Sequence, residues 1–377
     1  MDLAHVPIVD QHCHPLLRAG GPFTPAEYAR FFTESVDRTM HARYVPETIF
    51  FRWAIKELAG RFDCEPTVDA VLAAREKTAP DVLAAQLLRD ANVITLVMDY
   101  GYQTGETWSH AEHASRMPCA VLPVLRLETF AQELILRHDR FDTFVDAFVA
   151  GVEGARANGT VALKSIIAYR TGLAVQPASV SDAAAAYGPV KEQAARDGRI
   201  RLASKPLNDY LLLRALEIAA RQSLPVQFHT GFGDPDVDLL LANPLHLRPL
   251  FENGAYRDVA FVLLHASYPY VRELGYLAAV YPNVYADFGL ANPHAAAEIP
   301  GVLRQILGLA PTGKVLYSSD ASAIPELFWL AARWGRRALG TVLDELVGLG
   351  ALSSAEALTV AQQILGGNAT ALYGARS

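Results

Sequence analysis

The chain has 377 residues, 51 % of them hydrophobic and 19 % charged, a composition that can bury a large core and excludes intrinsic disorder. Lys and Arg number 33 against 40 Asp and Glu, a formal net charge of −7. With no basic block in the sequence, nucleic acid is not an expected partner. No apolar run approaches the ~20 residues of a membrane span. The opening MDLAHVPIVD lacks the basic and apolar stretches of a signal peptide. Cys13, Cys64 and Cys119 are scattered and form neither a disulfide framework nor a CxxC site. A cytoplasmic protein is the expectation.

Strand-like apolar runs recur along the whole chain at 7–14, 92–101, 119–128, 161–169, 225–231, 259–267, 283–290 and 314–321. Several are nearly continuous in Val, Ile and Leu, which suits parallel strands covered on both faces. Between them lie Ala- and Leu-rich amphipathic stretches such as 181–198, 209–223 and 325–350. Eight strands alternating with helices predict an α/β fold of the (β/α)8 TIM-barrel type. A doubly wound sheet is the alternative, but no GxGxxG follows any of the strands. The first two strands are separated by about 80 residues, with helical patterns at 47–62 and 67–79. This gap predicts a helical insertion over about 20–85 that could serve as a lid on the barrel mouth. No repeat or linker divides the chain, so residues 1–377 are expected to form one domain carrying insertions.

The histidines carry the chemical signal. Four of the eleven fall at the carboxyl ends of predicted strands: His12 and His14 on the first, His229 on the fifth and His265 on the sixth, with Asp320 ending the eighth. In a barrel these ends ring one mouth, the face on which active sites are built. His12 and His14 are two residues apart, so a strand turns both to one side, Asp10 with them, while Cys13 points away. Two imidazoles on one face suit a Zn²⁺-type ion. The remaining histidines (His5, His41, His110, His113, His138, His246 and His294) read as ordinary core or surface residues.

With VDQHCH (9–14), ALKSIIAYRTGL (162–173), QFHTGFGD (227–234), LLHASYPY (263–270), VYADFGLANP (284–293), LYSSDASAIPE (316–326) and GGNATALYG (366–374), the sequence resembles the amidohydrolase superfamily of metal-dependent barrels. More narrowly it resembles the amidohydrolase 2 branch and the domain fused to glutamine-synthetase-like domains in some fungal and plant proteins. The resemblance implies that His12 and His14 ligate the more buried metal with Asp320 beside them. His229 and His265 would ligate a second metal or contact substrate. Lys164 matches a lysine that one subgroup carbamylates to bridge two metals; in one-metal members it would remain an ammonium able to grip a substrate carboxylate. One or two divalent ions, Zn²⁺ first among them, are the implied cofactor. The implied mechanism is attack by metal-activated water. Asp320 would be the general acid/base, and His265 or His229 would stabilise the oxyanion.

Substrate selection is read from fewer residues. Arg170 is a bidentate donor suited to a carboxylate, or a loop anchor. Asp234, with Asp236 and Asp238, could attract an amine or cap a turn. Tyr268, Asn292 and Glu326 lie near strand ends, although Glu326 follows Pro325 and could simply start a helix. Phe50, Phe51 and Trp53 could line a lid or form core. The expected activity is hydrolysis of the C–N bond of a small-molecule amide, of γ-glutamyl type by analogy with the glutamine-synthetase-associated relatives. The alternatives are a metal-dependent decarboxylase, hydratase or isomerase of a small carboxylic acid, and a non-catalytic metal-binding protein. The apolar helices would tolerate a homodimer.

Overall fold

The computed structural model describes residues 1–102 and 105–374. Eight parallel strands follow one another in the sheet in the order of the chain and form a nearly closed (β/α)8 barrel. They are β1 (Ile8–Cys13), β2 (Val93–Asp99), β3 (Ala120–Arg126), β4 (Ala162–Ser165), β5 (Val226–Phe228), β6 (Phe261–Leu263), β7 (Val284–Asp287) and β8 (Val315–Leu316). The strands are shorter than the apolar runs predict, and each shortening has a local cause. The fourth stops at Ser165 because the Glu128 carboxylate takes the Ile166 amide at 3.0 Å and a 3₁₀ turn follows. The sixth stops at Leu263 because His265, Ala266 and Ser267 adopt positive φ (67°, 54° and 47°), which no strand accommodates. No described helix is long and apolar enough to cross a membrane.

The chain packs as two compact units. The first comprises Met1–Leu122, Gly233–Pro235 and Asp287–Ser377. Here β1 and β2 pair in parallel with an irregularity between Asp10 and Cys13. The Gln11 amide donates to Tyr317 O at 3.3 Å, tying β1 to the segment after β8. Between β1 and β2 run the inserted helices Ile49–Phe62, Val68–Arg75 and Pro80–Asp90. Thr48 and Thr67 cap the first two by accepting from Phe51 N and Ala70 N. Phe50 and Phe51 are core residues. The Trp53 ring stacks on Trp334 of the long helix Pro325–Gly348 with centroids 4.2 Å apart. The aromatic residues of the insertion therefore anchor it. Arg336 of the same helix donates to Ala91 O and Val6 O, both at 2.6 Å.

His113 braces the turn after β1. Its Nε2 accepts from Leu16 N at 3.2 Å while its Nδ1 faces Ser109 O at 3.0 Å, an arrangement available only to the neutral ring. Burial pushes its pKa down to about 4.

The second unit comprises Pro123–Phe232 and Asp236–Ala286. Its strands are in unbroken parallel register from β3 to β7, with Arg126, Lys164, Gln227, Val262 and Tyr285 forming one row. Helices Val180–Asp197 and Lys205–Gln222 match the periodic stretches at 181–198 and 209–223 within a few residues. Tyr187 stacks on Phe144 (4.9 Å) and Phe148 on Phe130 (5.8 Å) in the outer layer. Gly231, two residues past His229, has φ 73°, and a Cβ there would overlap the backbone of Ser267 and Tyr268. Only glycine allows the two loops that follow β5 and β6 to approach so closely.

Two stability measurements check these placements. A depressed histidine pKa leaves the unfolded chain binding more protons between pH 6.5 and 4. Stability is therefore expected to fall as pH drops through that window, by roughly 2–3 kcal/mol from this residue. His113→Gln should flatten that part of the profile in urea titrations. Gly231→Ala should cost about 3 kcal/mol, through left-handed strain plus overlap. Gly159→Ala, at φ 86° but in open space, should cost about 1 kcal/mol from the backbone alone.

Candidate metal centre

In the first unit, β1 delivers His12 within the strand and His14 just past its end, both buried. Their rings meet edge to face at 5.0 Å. The segment after β8 is laid against them by backbone hydrogen bonds: Asp320 N donates to His12 O (3.0 Å) and His14 N to Ala321 O (2.8 Å). This pairing holds Asp320 at φ 53°, a left-handed conformation more accessible to Asp than to most residues. The result is a convergence of donors. Asp320 Oδ1 lies 3.2 Å from His12 Nε2 and 3.2 Å from His14 Nε2. His14 Nδ1 faces Asp99 O at 3.1 Å, which fixes the proton on Nδ1 and turns the Nε2 lone pair toward Asp320. Asp99, at the end of β2, also brings a carboxylate oxygen within 4.8 Å of ligand atoms of His12 and His14.

Asp10 shares the interior side of β1, but its carboxylate serves the backbone. Oδ1 accepts from Ser319 N at 2.9 Å and Oδ2 from Ser319 Oγ. Burial pushes its pKa up to about 7 against those hydrogen bonds. Cys13 faces the other way, its thiol 3.6 Å from Val97 O.

Two residues of this unit escaped the sequence reading. Glu34, in the insertion, keeps 29 % of its side chain exposed, and its Oε1 lies 3.5 Å from His294 Nε2. Burial first, then the charges of Asp320 and Asp234, push its carboxyl up to about 8. His294 contacts the Phe50 ring at 4.8 Å and holds Leu290 O at 3.0 Å through Nδ1. Burial drives its pKa down to about 4 against the pull of Asp320. A lone Glu in a loop and a lone His past a strand carry no periodic or spacing signal. Asp234 itself is half-buried. Glu326 has a structural partner: it is fully buried and ion-paired with Arg75 of the insertion. Asn292 is likewise buried, its amide donating to Ala331 O at 3.1 Å.

In the second unit, Lys164 is a buried residue of β4. His229 follows β5, its amide donating to Ser165 O at 3.0 Å. His265 follows β6, and the two imidazole rings are 4.5 Å apart. Tyr169 packs on the other side of His229 at 4.3 Å. Thr230 Oγ1 lies 2.6 Å from Leu264 O and 2.7 Å from Ser267 Oγ, bracing the left-handed run that begins at His265. Runs of positive φ in non-glycine residues cost free energy and gather where a side chain must be aimed. Arg170 is half-buried, and its Nε has no hydrogen-bond partner. Burial first, then the charge of Arg201, lowers its pKa. Tyr268 is 39 % exposed and packs on Phe232 at 5.4 Å. Asp236 is bound to Arg201 at 2.6 Å, and Asp238 caps Leu240 N at 2.9 Å, so both take the structural reading.

Comparison with known proteins follows the same lines. The family model described as amidohydrolase matches residues 161–375. Protein fluG of Emericella nidulans is 32 % identical over 398 residues, covering 97 % of this chain and 45 % of fluG. The chain thus spans about half the length of that curated relative. Among solved structures, a provisionally assigned metal-dependent hydrolase from Lactobacillus casei ATCC 334 superposes with a TM-score of 0.89 at 32 % identity, covering 99 % of this chain and 96 % of that one. A uronate isomerase from Thermotoga maritima shares the fold with a TM-score of 0.69 at 17 % identity, over 98 % and 94 % of the two chains.

If Glu326 is structural, Glu326→Gln should lower stability by about 3 kcal/mol, because Arg75 is left buried without its counter-charge. Replacing both residues by apolar ones of similar volume should recover part of that loss. A substrate-contacting Glu326 would instead raise KM and leave the unfolding midpoint unchanged.

Proposed function

The chain belongs to the amidohydrolase family, and on that premise we propose that it is a metal-dependent hydrolase cleaving the C–N bond of a small amide, of γ-glutamyl type. The observation that carries the reading is that Asp320 Oδ1 stands 3.2 Å from both His12 Nε2 and His14 Nε2. Donor atoms about 2.05 Å from a tetrahedral ion stand roughly 3.3 Å apart, and each of the two imidazole nitrogens stands at about that separation from Asp320 Oδ1. Two imidazoles and one carboxylate are also the ligand types zinc takes. His14 has already spent its Nδ1 proton on a carbonyl, leaving Nε2 free to coordinate. His12, His14 and Asp320 would hold the ion.

His229, His265 and Lys164 extend the proposal by their positions at the ends of β5, β6 and β4. The two histidines would take a second ion or the substrate carbonyl. Lys164 would bridge if carbamylated, and otherwise present an ammonium to a carboxylate.

A bound divalent ion supplies Lewis acidity and brings the pKa of water from 15.7 toward ~7. The protein's own residues do the rest. Asp320 takes the proton of the attacking water on its carboxylate and delivers it to the departing nitrogen. Its left-handed backbone, pinned at both neighbours, keeps that carboxylate from swinging away. His265 or His229 donates a ring N–H to the oxygen that gains charge. Arg170 orients a substrate carboxylate through its planar fork, Asp234 sits near Glu34 where an amine would be attracted, and Tyr268 offers a part-exposed hydroxyl.

A second reading is decarboxylation, hydration or isomerisation of a small carboxylic acid, favoured by one observation: Arg170, whose Nε has no hydrogen-bond partner, follows the turn that leaves β4 and could hold a carboxylate. It goes with a single metal and an unmodified Lys164.

Metal analysis of the purified protein should find one or two zinc ions per chain, lost in His12→Ala and His14→Ala. Asp320→Asn should keep metal yet lower kcat by about 10³-fold or more. Release of ammonia or amine from γ-glutamyl amides supports hydrolysis. Release of CO₂, or an isomerised acid with no amine, supports the second reading. Near-normal kcat in Asp320→Asn would reject the assigned acid/base.

A further inference from the structure

Two buried carboxylates grip the join between β1 and the segment after β8. Along β1, Asp10 and His12 share a face, and Gln11 alternates to the other. Along the opposing segment, Ser319 turns its hydroxyl to Asp10, whereas Ser318 turns its own to Asp287, the fully buried last residue of β7. Asp287 Oδ2 accepts from Ser318 Oγ at 2.6 Å and from Gln11 Nε2 at 2.9 Å. Its Oδ1 accepts from Gly289 N at 3.0 Å. Gln11 Oε1 in turn accepts at 2.6 Å from the hydroxyl of Tyr373, which ends the helix Asn368–Tyr373. Gln11, Asp287 and Ser318 are all buried in the first unit.

These contacts fall beside the ligand-type residues. Gln11 immediately precedes His12, and Ser318 stands two residues before Asp320. One oxygen of Asp287 therefore ties the backbone that presents His12 to the backbone that presents Asp320. At this level the backbone pairing is long: Gln11 N reaches Tyr317 O at 3.3 Å, against 3.0 Å from Asp320 N to His12 O and 2.8 Å from His14 N to Ala321 O. The side-chain clamp reinforces the join where its backbone bond is weaker. Gly289 leaves room for it, since a Cβ there would overlap Ser318 Oγ.

We propose that Asp287 is a positioning residue of the metal centre, which sets the separation of His12 Nε2 from Asp320 Oδ1 by holding Gln11 and Ser318 to one oxygen. The inference rests on the metal centre proposed for His12, His14 and Asp320 and extends it to a residue outside the ligand set. Asparagine cannot take its place. Oδ2 receives two donors and Oδ1 a third, so an amide turned either way sets its NH₂ against at least one of them. Groups that hold metal ligands in position are worth about 10–100-fold in metal affinity.

Titration of the chain with Zn²⁺ in competition with a chromophoric chelator, well below the melting temperature of each variant, tests this. The wild type should bind zinc and His12→Ala should lose it. Asp287→Asn should weaken zinc binding about tenfold or more. Ser318→Ala, which removes one hydroxyl and leaves Asp287 with Gln11, should weaken it by a smaller factor. Once Ser318→Ala is in place, Asp287→Asn should cost less than it does in the wild type, because part of the clamp is already gone. Glu326→Gln breaks a buried ion pair of the same unit and serves as the control: it should lower the melting temperature and keep wild-type zinc affinity.

Wild-type zinc affinity in Ser318→Ala would overturn the proposal, whether or not Asp287→Asn folds. So would a loss of zinc affinity in Glu326→Gln as large as in Asp287→Asn, since general destabilisation would then account for both. Absence of zinc binding by the wild type, or equal binding by His12→Ala, would reject the metal centre and the positioning role together. His12-dependent zinc binding that is unchanged in Asp287→Asn and Ser318→Ala would reject the positioning role alone.

Discussion

The arrangement of His12, His14 and Asp320 depends on the pairing of two backbone segments. The strand that presents His12 and His14 and the segment that presents Asp320 exchange hydrogen bonds in both directions: Gln11 and His14 donate across, Asp320 and Ala323 donate back. Asp10 reinforces the join by binding Ser319 through both carboxylate oxygens. Side chains on a paired backbone inherit its rigidity, so the separation of these donor atoms is set by the fold. A site preorganised in this way would lose little conformational entropy on capturing the cation proposed for it, and the carboxylate proposed to transfer protons would stay aimed.

Such rigidity is obtained with strained backbone. Asp320 and His265 both sit at positive φ in the segments that follow β8 and β6. The left-handed turn redirects the side chain. Its cost is met locally: by backbone pairing for Asp320, and for His265 by the Thr230 hydroxyl reaching Leu264 O and Ser267. The close approach allowed by Gly231 brings these loops near enough for that brace to form. The two strained positions and the glycine are thus parts of the same solution to aiming a side chain off the end of a short strand.

The barrel was legible because its strands are buried on both faces. Runs such as VITLVM and FVLL carry at most one polar residue, and the amphipathic stretches between them repeat at the helical period. The HxH spacing and an Asp at the close of the last strand were legible because spacing two on a strand fixes direction. The partners of these residues were less so. Asp99 reaches His14 through the register of β1 on β2, which contains an irregularity that no spacing rule foresees. Glu326 reads as a strand-end acid until Arg75, 251 positions away, is seen to neutralise it. Pairings between distant segments decide both, and local periodicity does not encode them.

The two clusters that hold the ligand-type residues of the first unit come from opposite ends of the chain, whereas the second unit is almost one uninterrupted stretch between them. During synthesis on the ribosome, His12 and His14 wait for Asp320 until nearly all of the barrel has been translated. Until then β1 exposes an edge with no neighbour on one side, a surface open to mispairing with other nascent strands. The three side chains are therefore brought together only as a closing event of folding, when the segment after the last strand pairs with the first.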